Sequence, residues 1–223
     1  MTYQKDYWED KKVLRRRDPL HPVIEAFALP KVKKIIAKIR KQNSLSIKKN
    51  TQNTLLDVGS GNGYFSHYLS LFFNVSSLDF SHNILSISPT KKKIQASATE
   101  IPFKSNSFDV VFCANLLHHV ENPSVVIKEM IRVSSRYVVT IEPNRYNPLM
   151  IIVALLSKED RLLLRFTSRY IAGLMRDNME IISQEKTGFI LPNKTPNLLL
   201  PILKKVEPFL FPKMYHLLIA EKK

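Results

Sequence analysis

Cysteine is nearly absent from this chain, and glycine is scarce. One cysteine, Cys113, in 223 residues excludes an intramolecular disulfide framework and fits a reducing compartment. It lies inside an apolar run and reads as a small buried strand residue. Long apolar runs are missing too: the longest, 149–156, is eight residues, against the ~20 needed to span a bilayer. Residues 1–12 are polar and charged where a secretory leader needs an apolar stretch, so the expectation is a cytoplasmic chain without a signal peptide. The six histidines include no His-x-x-x-His pair and have no cysteine cluster beside them, so no metal site is expected. Acidic residues are few, 19 against 34 Lys and Arg, which leaves a formal charge of +15. That excess is uneven: +9 over residues 1–50, +1 over 51–150 and +5 over 151–223. Basic ends on a neutral middle attract phosphates or serve as solvated surface.

What is present divides the chain in two. Residues 1–50 read as a helical arm or cap. Val32, Ile35, Ile36 and Ile39 make an apolar stripe on a basic helix over 31–41. Arg15–Arg17, Asp18-Pro19 and His21-Pro22 predict a kinked arm ahead of it. Residues 42–53 read as a linker. From Thr54, strands alternate with helical stretches: strands at 54–58, 75–78, 94–96, 108–114, 137–141, 180–187 and 215–220, and helices at 64–73, 81–88, 123–133, from 148, across 159–175 and, broken by proline, 196–209. Asn122-Pro123 and Asn147-Pro148 each read as an N-cap followed by proline at the first helical position. This pattern predicts βαβ units and a doubly wound, mostly parallel α/β sheet over 51–223.

Three of the five glycines fall within five residues, in Asp57-Val58-Gly59-Ser60-Gly61-Asn62-Gly63. The cluster follows a strand and opens a helix, at the sheet edge where ligands bind in open α/β folds. Glycine here signals a tight turn or a close backbone approach to a ligand. The spacing is G-x-G-x-G, not the G-x-G-x-x-G of dinucleotide sites. Asp57 beside the loop would repel a pyrophosphate and favour an ammonium or sulfonium.

The heptad 57–63 closely resembles the first motif of class I S-adenosylmethionine-dependent methyltransferases. Leu78-Asp79-Phe80-Ser81 resembles the second, residues 98–103 and 107–111 the third and fourth, and Asn115-Leu116-Leu117-His118-His119-Val120 the segment after strand four in the branch with quinone and small-molecule methyltransferases. The resemblance covers roughly residues 52–145. It implies a Rossmann-like fold with a seven-stranded sheet, helices on both faces and an N-terminal helical cap. It also implies S-adenosylmethionine held by Asp57, Gly59, Ser60, Gly61, Gly63, Asp79, Phe80, Ser97, Ala98, Thr99 and Asn115. Asp79 would take the ribose hydroxyls. Ser97 departs from the pattern, since the family often has an acidic residue there to accept from the adenine amino group.

Methyl transfer from a sulfonium needs alignment, and a base only where the acceptor must lose a proton. His119 and His118 are the candidates for that base, although only one of two adjacent side chains can face the cleft. Asp109, at the start of strand four, reads as structural. Glu142, Asn144 and Arg145 follow strand five at the same edge and are candidate acceptor-lining residues; in related enzymes the N-terminal arm caps the site, which adds Tyr7, Trp8 and His21. An Asn/Asp-Pro-Pro-aromatic segment, the mark of base-amino methylation, is absent after strand four, and cytosine-C5 chemistry needs a cysteine nucleophile that a strand-bound Cys113 does not offer. A small-molecule or lipid-like acceptor fits better. The apolar helix after Pro148 and the leucines of 198–203 could line a greasy pocket, touch a membrane surface peripherally or simply fill the core. An RNA methyltransferase using the basic arm and a non-catalytic S-adenosylmethionine-binding protein stay open as alternatives.

Overall fold

The computed structural model describes residues 10, 14–42, 52–156, 163–164 and 167–223. Helix α1 (Pro22–Lys41) comes first. Then follow β1 (Thr54–Val58), α2 (Tyr64–Leu69), β2 (Asn74–Asp79), α3 (His82–Ser86), β3 (Lys92–Gln95), β4 (Phe108–Ala114), α4 (Pro123–Val133), β5 (Ser134–Pro143), α5 (Pro148–Leu156), α6 (Ser168–Met175), β6 (Met179–Thr187), α7 (Leu200–Val206) and β7 (Tyr215–Lys222). The strands form one seven-stranded sheet in the order β3-β2-β1-β4-β5-β7-β6. All neighbours pair in parallel except β7, which runs antiparallel between β5 and β6. This is the doubly wound, mostly parallel arrangement expected from the alternating pattern.

Two apolar cores cover the two sheet faces. On one face α1 and α2 pack on Leu55, Val110, Phe112, Val139, Ile141 and Leu217. On the other, α4 and α6 pack on Leu56, Val58, Val111, Cys113, Val138 and Leu218. Successive strand residues point to opposite faces, so one strand feeds both cores. The buried positions of α1 (Val23, Ile24, Phe27, Ala28, Lys31, Val32, Ile35, Ile36, Ile39) trace one helical stripe. Pro22 does not break the chain as expected. It occupies the first turn of α1, where a missing N–H costs nothing, and His21 Nδ1 accepts from the Val23 N–H at 3.2 Å.

Other elements differ in extent. The helix expected over 64–73 stops at Leu69, because Phe72 and Phe73 N–H both turn back to the Leu69 carbonyl before β2 begins. Strand β3 lies at 92–95, an exposed lysine-bearing edge rather than an apolar core strand, and such charges keep an edge from pairing further. Asn147 caps α5 as expected, accepting from Leu149 and Met150 N–H at 3.0 and 3.2 Å. Asn122 does not cap α4 with its side chain; its Oδ1 accepts from Ser124 Oγ instead. The linker residues 43–51 and the start of the helix expected across 159–175 lie outside the described residues. Asp109 has the structural part expected of it: Oδ2 accepts from Thr54 N–H at 2.7 Å and from Thr54 Oγ at 3.0 Å.

Candidate active site

The carboxyl ends of β1, β2, β4 and β5 share one edge, and the glycine loop leaves it first. Gly59 and Ser60 N–H donate to the Leu78 carbonyl at 2.8 and 3.0 Å, which stitches the loop to β2. Gly59, Gly61 and Gly63 have φ of +67°, +55° and +83°, a region costly for any residue with a Cβ. Space adds to conformation at Gly59, where a Cβ would stand 2.7 Å from Leu116 Cδ1. Ser60 Oγ is buried and meets no partner among the described residues, so the loop carries an unused hydrogen-bonding group.

Asp79 ends β2 and clamps this loop to the next turn. Oδ2 accepts from Gly61 N–H at 2.9 Å, and Oδ1 accepts from Ser81 N–H at 3.0 Å. Burial raises its pKa, and those two N–H groups oppose the rise. Each carboxylate oxygen keeps a second lone-pair site after one N–H, so Asp79 retains acceptor capacity toward a diol. Phe80 follows, half-buried, with its carbonyl accepting from Gln95 Nε2.

Asp57 is placed differently from the expectation. It lies beneath the loop, 2% exposed, with Oδ2 accepting from Ser66 Oγ at 2.5 Å. Ser66, Ser77, Thr90 and Ser88 continue a chain of hydroxyls from that carboxyl, all buried except the half-buried Thr90. Burial pushes the Asp57 pKa up to about 7, and the Ser66 hydroxyl only partly offsets this. At neutral pH Asp57 therefore carries only part of the charge on which the sequence argument leaned. The reason is its position in β1: Asp57 shares the Leu55 side of the strand and points toward α2.

The adenine-side candidates follow β3. Ser97 Oγ accepts from Thr99 N–H at 3.2 Å and shares a 2.7 Å hydrogen bond with Thr99 Oγ1, so the serine is committed to its own turn. Ala98 and Thr99 are half-buried beside it. Asn115, directly after β4, holds φ at +52°, and its N–H donates to the Ile141 carbonyl. Left-handed backbone in a non-glycine residue is uncommon and clusters at functional sites.

The next segment is organised by Glu142. Its Oε1 accepts from Leu116 and Leu117 N–H, both at 2.9 Å, and Oε2 lies 2.6 Å from His118 Nδ1. Glu142 and His118 are 1% and 2% exposed. Glu142 was expected to line the acceptor pocket; with both oxygens bound inside, it instead braces the 116–118 backbone. The His118 and His119 rings lie against each other, centroids 4.0 Å apart, and His119 is the more exposed.

The remaining acceptor candidates divide. Asn144 is fully buried: its N–H donates to Met214 O and its Nδ2 to Lys213 O, both at 2.7 Å, which makes it a brace between β5 and β7. Arg145 is half-buried, over the Tyr146 ring. His21 is the cap of α1, so its ring has a structural task. Tyr7 and Trp8 lie outside the described residues. The arm around Arg17 does reach the glycine loop: Asn62 Nδ2 donates to Arg17 O, while Arg17 Nη1 donates to Pro192 O, both at 2.8 Å.

Sequence reasoning missed His216. It is opposite Glu142 on β5 and opposite Lys186 on β6, at the same sheet edge. It is 5% exposed, and its Nε2 has no partner among the described residues. Burial, aided by Lys186, lowers its pKa to about 4, so the ring is neutral. No local signal could have found it, because only the antiparallel insertion of β7 brings it to Glu142. Among the described residues no group of three or more His, Cys, Asp or Glu side chains could hold a metal ion.

Over part of its length the chain is similar to known methyltransferases. A family model described as a methyltransferase domain matches residues 56–136. A demethylmenaquinone methyltransferase of Oceanobacillus iheyensis is 38% identical over 93 residues, 36% of this chain and 39% of that protein. An uncharacterised protein of Methanocaldococcus jannaschii is 45% identical over 67 residues, 30% of this chain and 29% of that protein. The matched segment is thus well under half the length of either relative. Among solved structures, a SAM-dependent methyltransferase of Archaeoglobus fulgidus superimposes with a TM-score of 0.60 at 14% identity, covering 85% of this chain and 94% of that one. Magnesium protoporphyrin IX methyltransferase of Synechocystis with bound SAM gives 0.59 at 14%, covering 100% and 92%. At such identities the likeness is one of fold.

Proposed function

On the premise that residues 56–136 are a class I, S-adenosylmethionine-dependent methyltransferase domain, we propose that this chain binds S-adenosylmethionine along the carboxyl edge of β1–β4 and methylates a small-molecule or lipid-like acceptor. When bound, the cofactor supplies an activated methyl group on a sulfonium. The chain's task is to hold and align. Backbone at Gly59–Gly61 accommodates the amino-acid portion, and the unpartnered Ser60 hydroxyl is available to it. Asp79 accepts from the ribose hydroxyls, with Phe80 beside it. The 97–99 turn and Asn115 flank the base. His119 is the proton acceptor where the acceptor's chemistry requires one, and His118, gripped by Glu142, orients the turn that carries it. The acceptor class is supported by the Leu-Leu-His run after Asn115, which lacks the proline-aromatic segment of base-amino methylation.

One observation carries the cofactor reading: a buried carboxylate at the end of β2 spans two backbone N–H groups beside a glycine-rich loop and keeps lone pairs to spare. Calorimetry tests it. The wild type binds S-adenosylhomocysteine and not NAD, and Asp79→Ala weakens binding about tenfold or more, the size of a lost charge-assisted bond. Unchanged affinity in a folded Asp79→Ala protein overturns the assignment. Labelled cofactor incubated with host extract, with and without ribonuclease, separates a small acceptor from RNA.

A further inference from the structure

Sixteen large apolar side chains are exposed among the described residues, and eleven of them fall in two stretches, 146–156 and 198–211. Single exposed apolar residues are ordinary; a concentration of this kind is not. Both stretches spring from the same sheet edge. Pro143, the end of β5, and Thr187, the end of β6, both pair with Tyr215, the start of β7. The edge is the one that carries the glycine loop.

The two stretches are tied to each other beneath that surface. Met150 and Ala154 of α5, Leu200 of α7 and Met214 belong to one core. Asn144 and Asn147 donate to the carbonyls of Lys213 and Pro212. Outward, Leu155, Leu156, Leu198 and Phe209 are 64%, 83%, 86% and 86% exposed. Within the two stretches the charge is mostly basic. Residues 145–156 and 194–213 hold Arg145, Lys194, Lys204, Lys205 and Lys213 against a single acid, Glu207.

We infer that this face docks on an anionic phospholipid surface, apolar side chains entering the headgroup boundary and lysines meeting the phosphates. Among the described residues no helix is long and apolar enough to cross a membrane, so the attachment is interfacial. Lysines near an anionic surface add an attraction that salt screens. A second copy seated on the same face would set these lysines against their own counterparts, which the charge disfavours. Docking places the carboxyl edge at the bilayer and needs no methyl transfer.

Flotation of the full chain tests this, with vesicles of phosphatidylcholine alone and of phosphatidylcholine mixed with phosphatidylglycerol. The wild type is expected to float with the mixed vesicles and to be released by salt. The variant L155S/L156S/L198S/F209S is expected to lose at least about tenfold in partitioning, and K204E/K205E to lose most of the salt-sensitive part. Circular dichroism melts show which variants fold; if the fourfold variant does not, L198S alone carries the test with a smaller loss. A wild type that floats with neither vesicle, or a folded fourfold variant that floats like wild type, overturns the inference. A concentration-dependent dimer abolished by the fourfold variant overturns it too and assigns the face to a second copy. Flotation without S-adenosylhomocysteine binding would keep the docking and remove the function proposed above.

Discussion

The two halves of the carboxyl edge are built by different means. On the β1–β2 side the acidic and turn side chains bond locally: Asp57 reaches Ser66, Asp79 reaches Gly61 and Ser81, and Ser97 reaches Thr99, none more than 18 residues apart, although Asn62 also ties the glycine loop to Arg17 over 45 residues. On the β5–β7 side the contacts are long-range: Glu142 reaches back 24 residues to His118, and Asn144 reaches 69 residues on to Lys213. Among the described residues each half also holds one unpartnered buried atom, Ser60 Oγ and His216 Nε2. The local half lies within residues 56–136, the span matched by the methyltransferase-domain model, while Glu142, Asn144 and His216 lie outside that span.

The largest effect that would break this contrast is at Glu142. Glu142→Ala strands a buried and a part-buried N–H group and the His118 ring, and is expected to cost about 3–5 kcal/mol in urea unfolding. A loss below ~1 kcal/mol, the size of an ordinary surface change, would mean that the β5 side is not organised by this carboxylate.

Next come two buried ionisable groups, one on each side. Lys31, between Phe27, Tyr215 and Gly188, has its pKa lowered to about 7 by burial. The unfolded lysine stays protonated to about 10.5, so its cost is full below pH 7 and fades as pH rises to 10.5. Asp57 has the opposite window: its folded pKa of about 7 lies above the 3.8 of the unfolded carboxyl, so its cost is absent at low pH and grows as pH rises from 3.8 to 7. Lys31→Met is expected to gain about 1–3 kcal/mol near pH 7 and to flatten the alkaline limb alone. Asp57→Asn is expected to flatten the acid limb alone. Stability curves measured across both windows decide the matter; identical limbs in wild type and variant would deny the burial on that side.

The smallest effects sharpen the comparison. Ser60→Ala and His216→Leu each remove a buried atom that has no partner, so each is expected to leave stability unchanged or raise it by about 0.5–1 kcal/mol. They should separate in binding. Ser60→Ala is expected to weaken S-adenosylhomocysteine about fivefold, one hydrogen bond's worth, while His216→Leu leaves that affinity alone and raises the KM for the acceptor. Equal effects of both variants on the cofactor would erase the division.

Legibility follows the same division. The 57–63 heptad, the 108–114 strand and Asn147-Pro148 could be read because glycine, β-branched runs and caps act within a few residues. Pro22 misled because proline opens a helix as readily as it ends one, and only the cap at His21 decides between them. Glu142 misled in another way. Its place at the end of strand five marks the right edge, but whether a carboxylate faces a pocket or grips the neighbouring backbone depends on Leu116–His118 arriving beside it. Asp57 is marked by the motif, yet its place beneath the loop and its charge state depend on burial, which no motif reports.

Sequence alone determined the alternation of elements, the glycine bend and the acidic end of β2, because backbone conformation and short-range hydrogen bonds are settled by near neighbours. Tertiary structure alone decided that β7 inserts antiparallel, that His216 stands opposite Glu142, and that α5 and the 198–211 stretch both leave apolar side chains exposed. Those outcomes depend on which distant segments exclude water from one another, a competition settled only when the whole sheet closes.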